Sequence, residues 1–324
     1  MNILKVNIEL LIKHGKKLFI PAVEEGITWS TERKGYPGQL EFKVVQDKTL
    51  KITEGDAVRL KVNDKKVFYG FVFKIKRDKE QILSVTAYDQ LRYLKNKDTY
   101  VYENKTAGQL IKMIASDFGL QTGTIEDTKY KIPSRVEENT SLFDIIQNAL
   151  DLTLENKKQM YVMYDDFGKI TLKSLNSMKL KVLIDEETGE NFDYTSSIDG
   201  DTYNKVKLTY DNEKTGKREV YIAKSSKNIN QWGVLQHFDT LQEGENGKEK
   251  ADALLSLYNV KTRSLSIKDA IGNINVRAGS LIPVILNLGD VKLKNYMIVE
   301  KCKHEFKESE HFMNLTLKGG EFVV

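Results

Sequence analysis

The chain has 324 residues, 40% of them hydrophobic and 30% charged, and its 50 Lys and Arg against 46 Asp and Glu leave a net charge of +4. That length allows two or three cores of ordinary size. The balance of charge excludes a long acidic or basic tail, and no run of about 18 apolar residues predicts a membrane-spanning helix. Only 8 of the basic residues are arginine, the side chain best suited to phosphate and base contacts, so nucleic-acid recognition is not expected.

The opening stretch Met1 to Ile12 alternates and carries Glu9, which is a strand pattern rather than a cleavable signal peptide. Further strands are predicted at Gln39–Val45, Ala57–Val62, Val67–Ile75 and Gln81–Tyr88, with a loop at Gly35-Tyr36-Pro37-Gly38. Thr106-Ala107-Gly108-Gln109 has capping-box form. Leu110, Ile111, Ile114, Ala115 and Phe118 then share one helical face, and Gly119 suits the stop. A second helix starts near Thr140-Ser141 with Leu142, Ile145, Ile146, Ala149 and Leu150 in one stripe. A hairpin follows, Met160–Tyr164 and Lys169–Leu172 around Gly168. Tyr203–Tyr210 and Lys217–Ala223 form another hairpin, and a helix runs from about 247 to 260.

The last strands repeat the first ones. Ile52-Thr53-Glu54-Gly55-Asp56 leads into an alternating strand, then a strand bearing Tyr69, the polar turn Arg77–Glu80, and a closing strand. Val276-Arg277-Ala278-Gly279-Ser280 leads in the same order to a strand bearing Tyr296, the polar turn Lys307–Glu310, and His311–Leu317. Two copies so far apart are not a solenoid. They are two similar β-domains in one chain. The expected fold class is therefore mainly β with a small α/β domain: residues 1–100 and 183–324 form the two β-domains, the second with its helix near 247–260, and 101–182 form the α/β insertion.

Residues that carry chemistry are few. No nucleophile elbow, phosphate loop, zinc-protease helix or dinucleotide fingerprint is present, so no enzyme and no cofactor is expected. Asp166-Phe167-Gly168 and Asp199-Gly200-Asp201 read as turns. The acid pairs Glu24-Glu25, Glu137-Glu138 and Glu186-Glu187 place neighbours on opposite strand faces and are poor acid/base dyads. Cys302, His304 and His311 are the best metal candidates, since a thiolate and two imidazoles suit zinc. A histidine pair packed at a hairpin fits the same pattern, and no fourth ligand is evident. The lone Cys302 rules out an internal disulfide, so the chain folds in or tolerates a reducing cytoplasm. Trp29 and Trp232 could line a sugar-binding face or pack in a core.

Val67-Phe68-Tyr69-Gly70-Phe71-Val72, Val85 to Leu94 with Tyr88-Asp89, and Tyr164 to Leu172 occur in an order that resembles a known family. Tyr203-Asn204-Lys205-Val206, Trp232 to Gln236, Arg277-Ala278-Gly279-Ser280, His304-Glu305-Phe306 and His311-Phe312-Met313 continue it. The chain resembles the baseplate hub proteins of contractile phage tails, of the XkdQ/YqbQ type found in defective prophages and R-type bacteriocins. The resemblance implies two tube-type β-barrel domains per chain and a homotrimeric, pseudo-sixfold ring. That ring would join a sixfold tail tube to a threefold central spike, with other baseplate proteins and the tape measure protein as further partners. It implies assembly in the bacterial cytoplasm and a final place in a virion or bacteriocin baseplate. It brings no catalytic residues. Gly55, Tyr69, Tyr88, Asp89, Gly279, Tyr296, His304 and His311 are the residues expected to matter for the repeat and for assembly, with Tyr69 and Tyr296 as buried strand residues. The alternatives are a tail-associated peptidoglycan hydrolase or peptidase, and a cell-wall-binding module.

Overall fold

The computed structural model describes residues 5–45, 50–185, 188, 191–213, 215–241, 245–287 and 292–319. The acid pair Glu186-Glu187 and the first residues of the predicted N-terminal strand lie outside them. Of the described residues, strand accounts for 53% and helix for 19%, so the fold is mainly β.

The first module begins with β1 (Ile8–His14) and the short β2 (Lys17–Phe19). β3 (Val23–Glu32), β4 (Gln39–Val45), β5 (Ala57–Val62), β6 (Lys65–Arg77) and β7 (Ile82–Tyr88) follow. They pair in the order β3-β4-β7-β6-β5-β1-β2. Period-two alternation sends Leu40, Phe42 and Val44 of β4 and Leu83, Val85 and Ala87 of β7 into one core. Each such side chain, fully buried, contributes about 1.5–3 kcal/mol.

A 3-10 turn at Gln90–Lys95 leads to β8 (Lys97–Lys105), α1 (Ala107–Asp117), β9 (Thr122–Ile125), β10 (Ile132–Ser141) and α2 (Leu142–Lys157). The predicted capping box is formed: the Thr106 amide donates to Gln109 Oε1 at 2.9 Å and the Gln109 amide to Thr106 Oγ1 at 3.3 Å. β8 and β10 pair as a two-stranded ribbon, and β11 (Tyr161–Asp165) and β12 (Ile170–Ser174) form the predicted hairpin, with β9 added in parallel.

The remainder is β13 (Asn191–Ser197), β14 (Lys205–Asn212), β15 (Lys217–Lys224), α3 (Ser226–Trp232), β16 (Gln236–Thr240), α4 (Gly247–Tyr258), β17 (Thr262–Ile271), β18 (Leu281–Asn287), β19 (Lys292–Lys307) and β20 (Glu310–Gly319). β15-β14-β16 is a separate sheet covered by α4, and its core of Val206, Leu208, Ala223, Leu241, Ala251 and Leu254 is its own. It interrupts the second module between β13 and β17. The other strands pair as β13-β17-β20-β19, with β18 also on β19.

The two modules share one 12-stranded sheet, because β19 pairs with β3. That hydrogen-bonded path does not close into a barrel among the described residues. In the first module β1 and β3 stand apart, and the gap is a groove of about 460 Å³ lined by Leu10, Val23, Ile27 and Phe306.

Candidate functional site

The repeat is realised atom by atom. Gly55 and Gly279 take the same left-handed backbone, φ +90° and +88°, open to glycine and strained for other residues. The Gly55 amide donates to Val72 O at 2.8 Å, and the Gly279 amide to Val299 O at 2.7 Å. The Val72 amide donates back to Asp56 O, and the Val299 amide to Ser280 O, each at 2.9 Å. The turns are pinned alike: the Thr53 amide donates to Asp56 Oδ2 at 2.8 Å and the Arg277 amide to Ser280 Oγ at 3.1 Å. A register shift then follows Val72 in the β6–β7 ladder and Val299 in the β19–β20 ladder. The order β5-β6-β7-β4-β3 in one module matches β18-β19-β20-β17-β13 in the other.

The seam between the modules is where β3 meets β19, from Ile27↔Phe306 to Glu32↔Lys301. Arg33 closes one end with a forked pair to the Glu300 carboxylate, Nε to Oε2 and Nη2 to Oε1, each at 2.9 Å, and its amide donates to Glu300 O at 2.9 Å. Such planar two-point pairing is stronger than a single contact. Thr31 Oγ1 accepts from the Ala278 amide at 2.9 Å, tying β3 to the repeated turn.

Behind the seam lies a stack of rings. His304 lies against Trp29 with centroids 4.9 Å apart, and Phe306 against His311 at 4.4 Å. His304 Nε2 sits 2.8 Å from Val276 O, and since a carbonyl only accepts, Nε2 carries the proton. His304 Nδ1 is then an acceptor, and His311 Nε2 donates to it across 2.8 Å. Burial pushes the His304 imidazole down to about 3, with the His311 ring adding to the shift, and burial pushes His311 down to about 4. The same burial pushes the Cys302 thiol well up, away from the thiolate. The sulfur lies 3.1 Å from His304 Nε2. Both inward nitrogens of His304 are thus engaged within the protein. No group of three or more His, Cys, Asp or Glu side chains has metal-holding geometry among the described residues.

A second polar cluster joins both modules to the insertion. Asp89, at the end of β7, accepts from the Gly38 amide at 2.8 Å and the Leu91 amide at 3.0 Å. Asp165, at the end of β11, accepts from the Gly168 amide at 2.7 Å. The Arg277 guanidinium lies 4.1 Å from the Tyr164 ring centroid and 5.8 Å from that of Trp29. Burial, and then the charge of Asp165, holds the Asp89 carboxyl well above the usual carboxylate range, and burial pushes Asp165 up to about 6. Perturbed acids often mark catalytic sites. Here both carboxylates are buried and accept from backbone amides.

The other singled-out residues line the same joints. Tyr69 is half-buried rather than buried, because it crosses from the first module to the insertion: its ring meets Phe167 at 5.8 Å and lies against Gly168. Tyr296, its counterpart, is also half-buried, opposite Pro283, with Lys179 Nζ 3.9 Å from its centroid. Tyr88 pairs with Gln39 and Phe71 and packs on Phe73. Trp29 is 4% exposed, so it cannot line a sugar-binding face, while Trp232 is half-buried beneath Lys261 at 5.9 Å. Sequence reasoning missed Arg277 and Asp165 as a pair. The available signal was an arginine two residues before the repeated Gly279 in a chain whose cations are mostly lysine.

The YqbQ-like family matches residues 27–318, from within β3 to near the end of β20. The chain belongs to the YqbQ-like family. It is 34% identical over 310 residues to the phage-like element PBSX protein XkdQ of Bacillus subtilis, covering 92% of this chain and 93% of that one. Among solved structures, the 43 kDa tail protein of prophage MuSo2 from Shewanella oneidensis has the same fold, with TM-score 0.70, 12% identity, and coverage of 98% of this chain and 100% of that one. The E. coli c3393 protein, described as a type VI secretion component similar in structure to T4 tail proteins gp27 and gp5, matches with TM-score 0.57 and 9% identity over 97% of this chain and 78% of its own. The fold of this family member is that of prophage tail proteins. Neither the family nor these relatives carries a catalytic designation. No helix among the described residues is long and apolar enough to cross a membrane.

Proposed function

We propose that the chain is a structural hub of a contractile, phage-like tail. Three copies form a ring of six β-modules, which meets a sixfold tail tube on one face and a threefold spike on the other. The observation that carries this reading is the duplication: matching turns, matching register shifts and matching strand order, joined in one sheet. Stacked rings need matching symmetry at each shared face, and a duplicated module lets a threefold object present six near-equal surfaces. The relation to a PBSX protein and the likeness to a protein compared with gp27 support the tail setting. In this reading residues 1–100 and 183–324 supply tube-like barrels that close on assembly. The α/β insertion of 101–182 stands outside the ring beside the unit built on β14–β16. The partners are the chain itself, the tube protein, the spike, other baseplate proteins and the tape measure protein, and the finished particle is a virion or bacteriocin baseplate.

Light scattering and negative-stain imaging of the purified full chain test this. A trimer with a central opening and six similar lobes is the expected result. A monomer at every concentration, with and without a candidate spike protein added, would sink the hub reading.

A further inference from the structure

Two outward faces of the α/β parts are apolar and stay uncovered within one chain. The first is the β8–β10 ribbon, which buries Tyr100, Tyr102 and Ile132 against α1 and α2. Its other face presents the cross-strand pair Val101 and Val136, 67% and 64% exposed, flanked by exposed Glu103 and Glu138. Lys97 and Lys105 lie farther out along the same strand. The second is the β15-β14-β16 sheet, which buries Val206, Leu208 and Ala223 under α4. Its other face presents Val220, Ile222 and Phe238, 49%, 55% and 57% exposed. Lys207 sits between Ile222 and Phe238, paired with both, and Lys205 pairs with Lys224 one row away. Among the described residues the one carboxylate on that face, Asp211, is already forked to Arg218 at 2.6 and 2.8 Å.

Exposed apolar patches ringed by charge mark interfaces. These two are of opposite sign at their centres, and their exposure shows that they do not meet in one chain. The helices behind them do meet, through α2 and α4 and the ion pair Lys250–Glu155 at 3.8 Å, so the two patches belong to one continuous body. Two different, complementary patches on one body join head to tail, and such contacts close a ring when the rotation allows.

The geometry points to a second copy of this chain as the occupant: the acidic, apolar β8–β10 face of one protomer docks on the lysine-bearing β14–β16 face of the next. This rests on the ring reading above and names a contact that would brace the ring from outside. It predicts a heterologous contact, with Val136 of one copy near Ile222 of another.

The test mixes two full-length variants, Val136→Cys and Ile222→Cys, under mild oxidation, with mass measured by light scattering on the same samples. The native Cys302 is buried and does not compete. A disulfide-linked dimer in the mixture, absent from either variant alone, is expected. Glu103→Lys with Glu138→Lys should cut that yield about tenfold through like-charge opposition, and adding Lys207→Glu with Lys224→Glu should restore it. Trimers without the cross-link would overturn this contact and leave the ring standing. Cross-links in open-ended filaments would support the contact and sink the closed ring. Monomers without cross-link, both with and without a spike protein added, would overturn both. Linkage within Val136→Cys alone, or a loss that the compensating pair does not reverse, would also overturn the proposal.

Discussion

Gly55 and Gly279 are a natural control for one another. They share a backbone conformation and a hydrogen-bond pattern, but a Cβ on Gly55 would meet nothing within 4 Å, whereas one on Gly279 would run into Val162 of the insertion. Gly55→Ala should therefore cost only the strain of the left-handed backbone, about 1–2 kcal/mol. Gly279→Ala should cost that plus overpacking, roughly 1–3 kcal/mol more. Chemical denaturation of the two variants checks this, and equal losses would show that the Val162 contact yields freely. The glycines themselves were legible in the sequence as the turn of each copy. Val162 was not, because contact across 117 residues leaves no local mark. Asp89 was singled out from the sequence, but its tie to Gly38 and its proximity to Asp165 emerge only in three dimensions.

At the scale of the strand and helix, pattern and structure agree where one face alone is buried. β4, β5, β7 and the two capped helices fall where alternation and capping put them. β3 went unread although it forms the seam. Its alternation is broken at Gly26, where φ is +47° and the register shifts, and its partner β19 lies at the far end of the sequence. The metal and packing readings of His304 and His311 could not be separated by spacing. The rings of Trp29 and Phe306 and the carbonyl of Val276 complete that stack. The stack makes the seam sensitive to acid. Both imidazoles stay neutral in the fold down to about pH 4 or below, whereas an unfolded histidine takes its proton near 6.5. Stability from the pair is complete above that value and falls as pH drops, by about 1.4 kcal/mol per pH unit per histidine. Asp165, raised to about 6, acts in the opposite sense: its contribution is fully present below the unfolded carboxyl value of about 3.9 and is lost as pH rises through about 6. Comparing wild type with His304→Phe/His311→Phe separates the two. The variant should be less stable at pH 7.5 yet lose stability less steeply between pH 6.5 and 4 in urea titrations, and parallel acid limbs would refute the assignment.

Over the whole molecule, duplication was readable because each copy is a local run of about 40 residues with its own turn and hairpin. The joining of the copies into one sheet was not, nor was the separate β14–β16 unit that interrupts the second module, because both depend on which distant strands find each other. That joining has a consequence for how the protein is made. Arg33 and Glu300, which lock the seam, are 267 residues apart. Chains emerge from the ribosome at about 5–20 residues per second, so the β3 edge waits tens of seconds before β19 exists to cover it. During that interval a row of free amides and carbonyls is open to other nascent chains. A chain ending at residue 260 keeps all of the first module yet should collect in the insoluble fraction when expressed, while the full chain stays in solution. Equal solubility of the two would mean that the young edge is guarded by something other than its eventual partner.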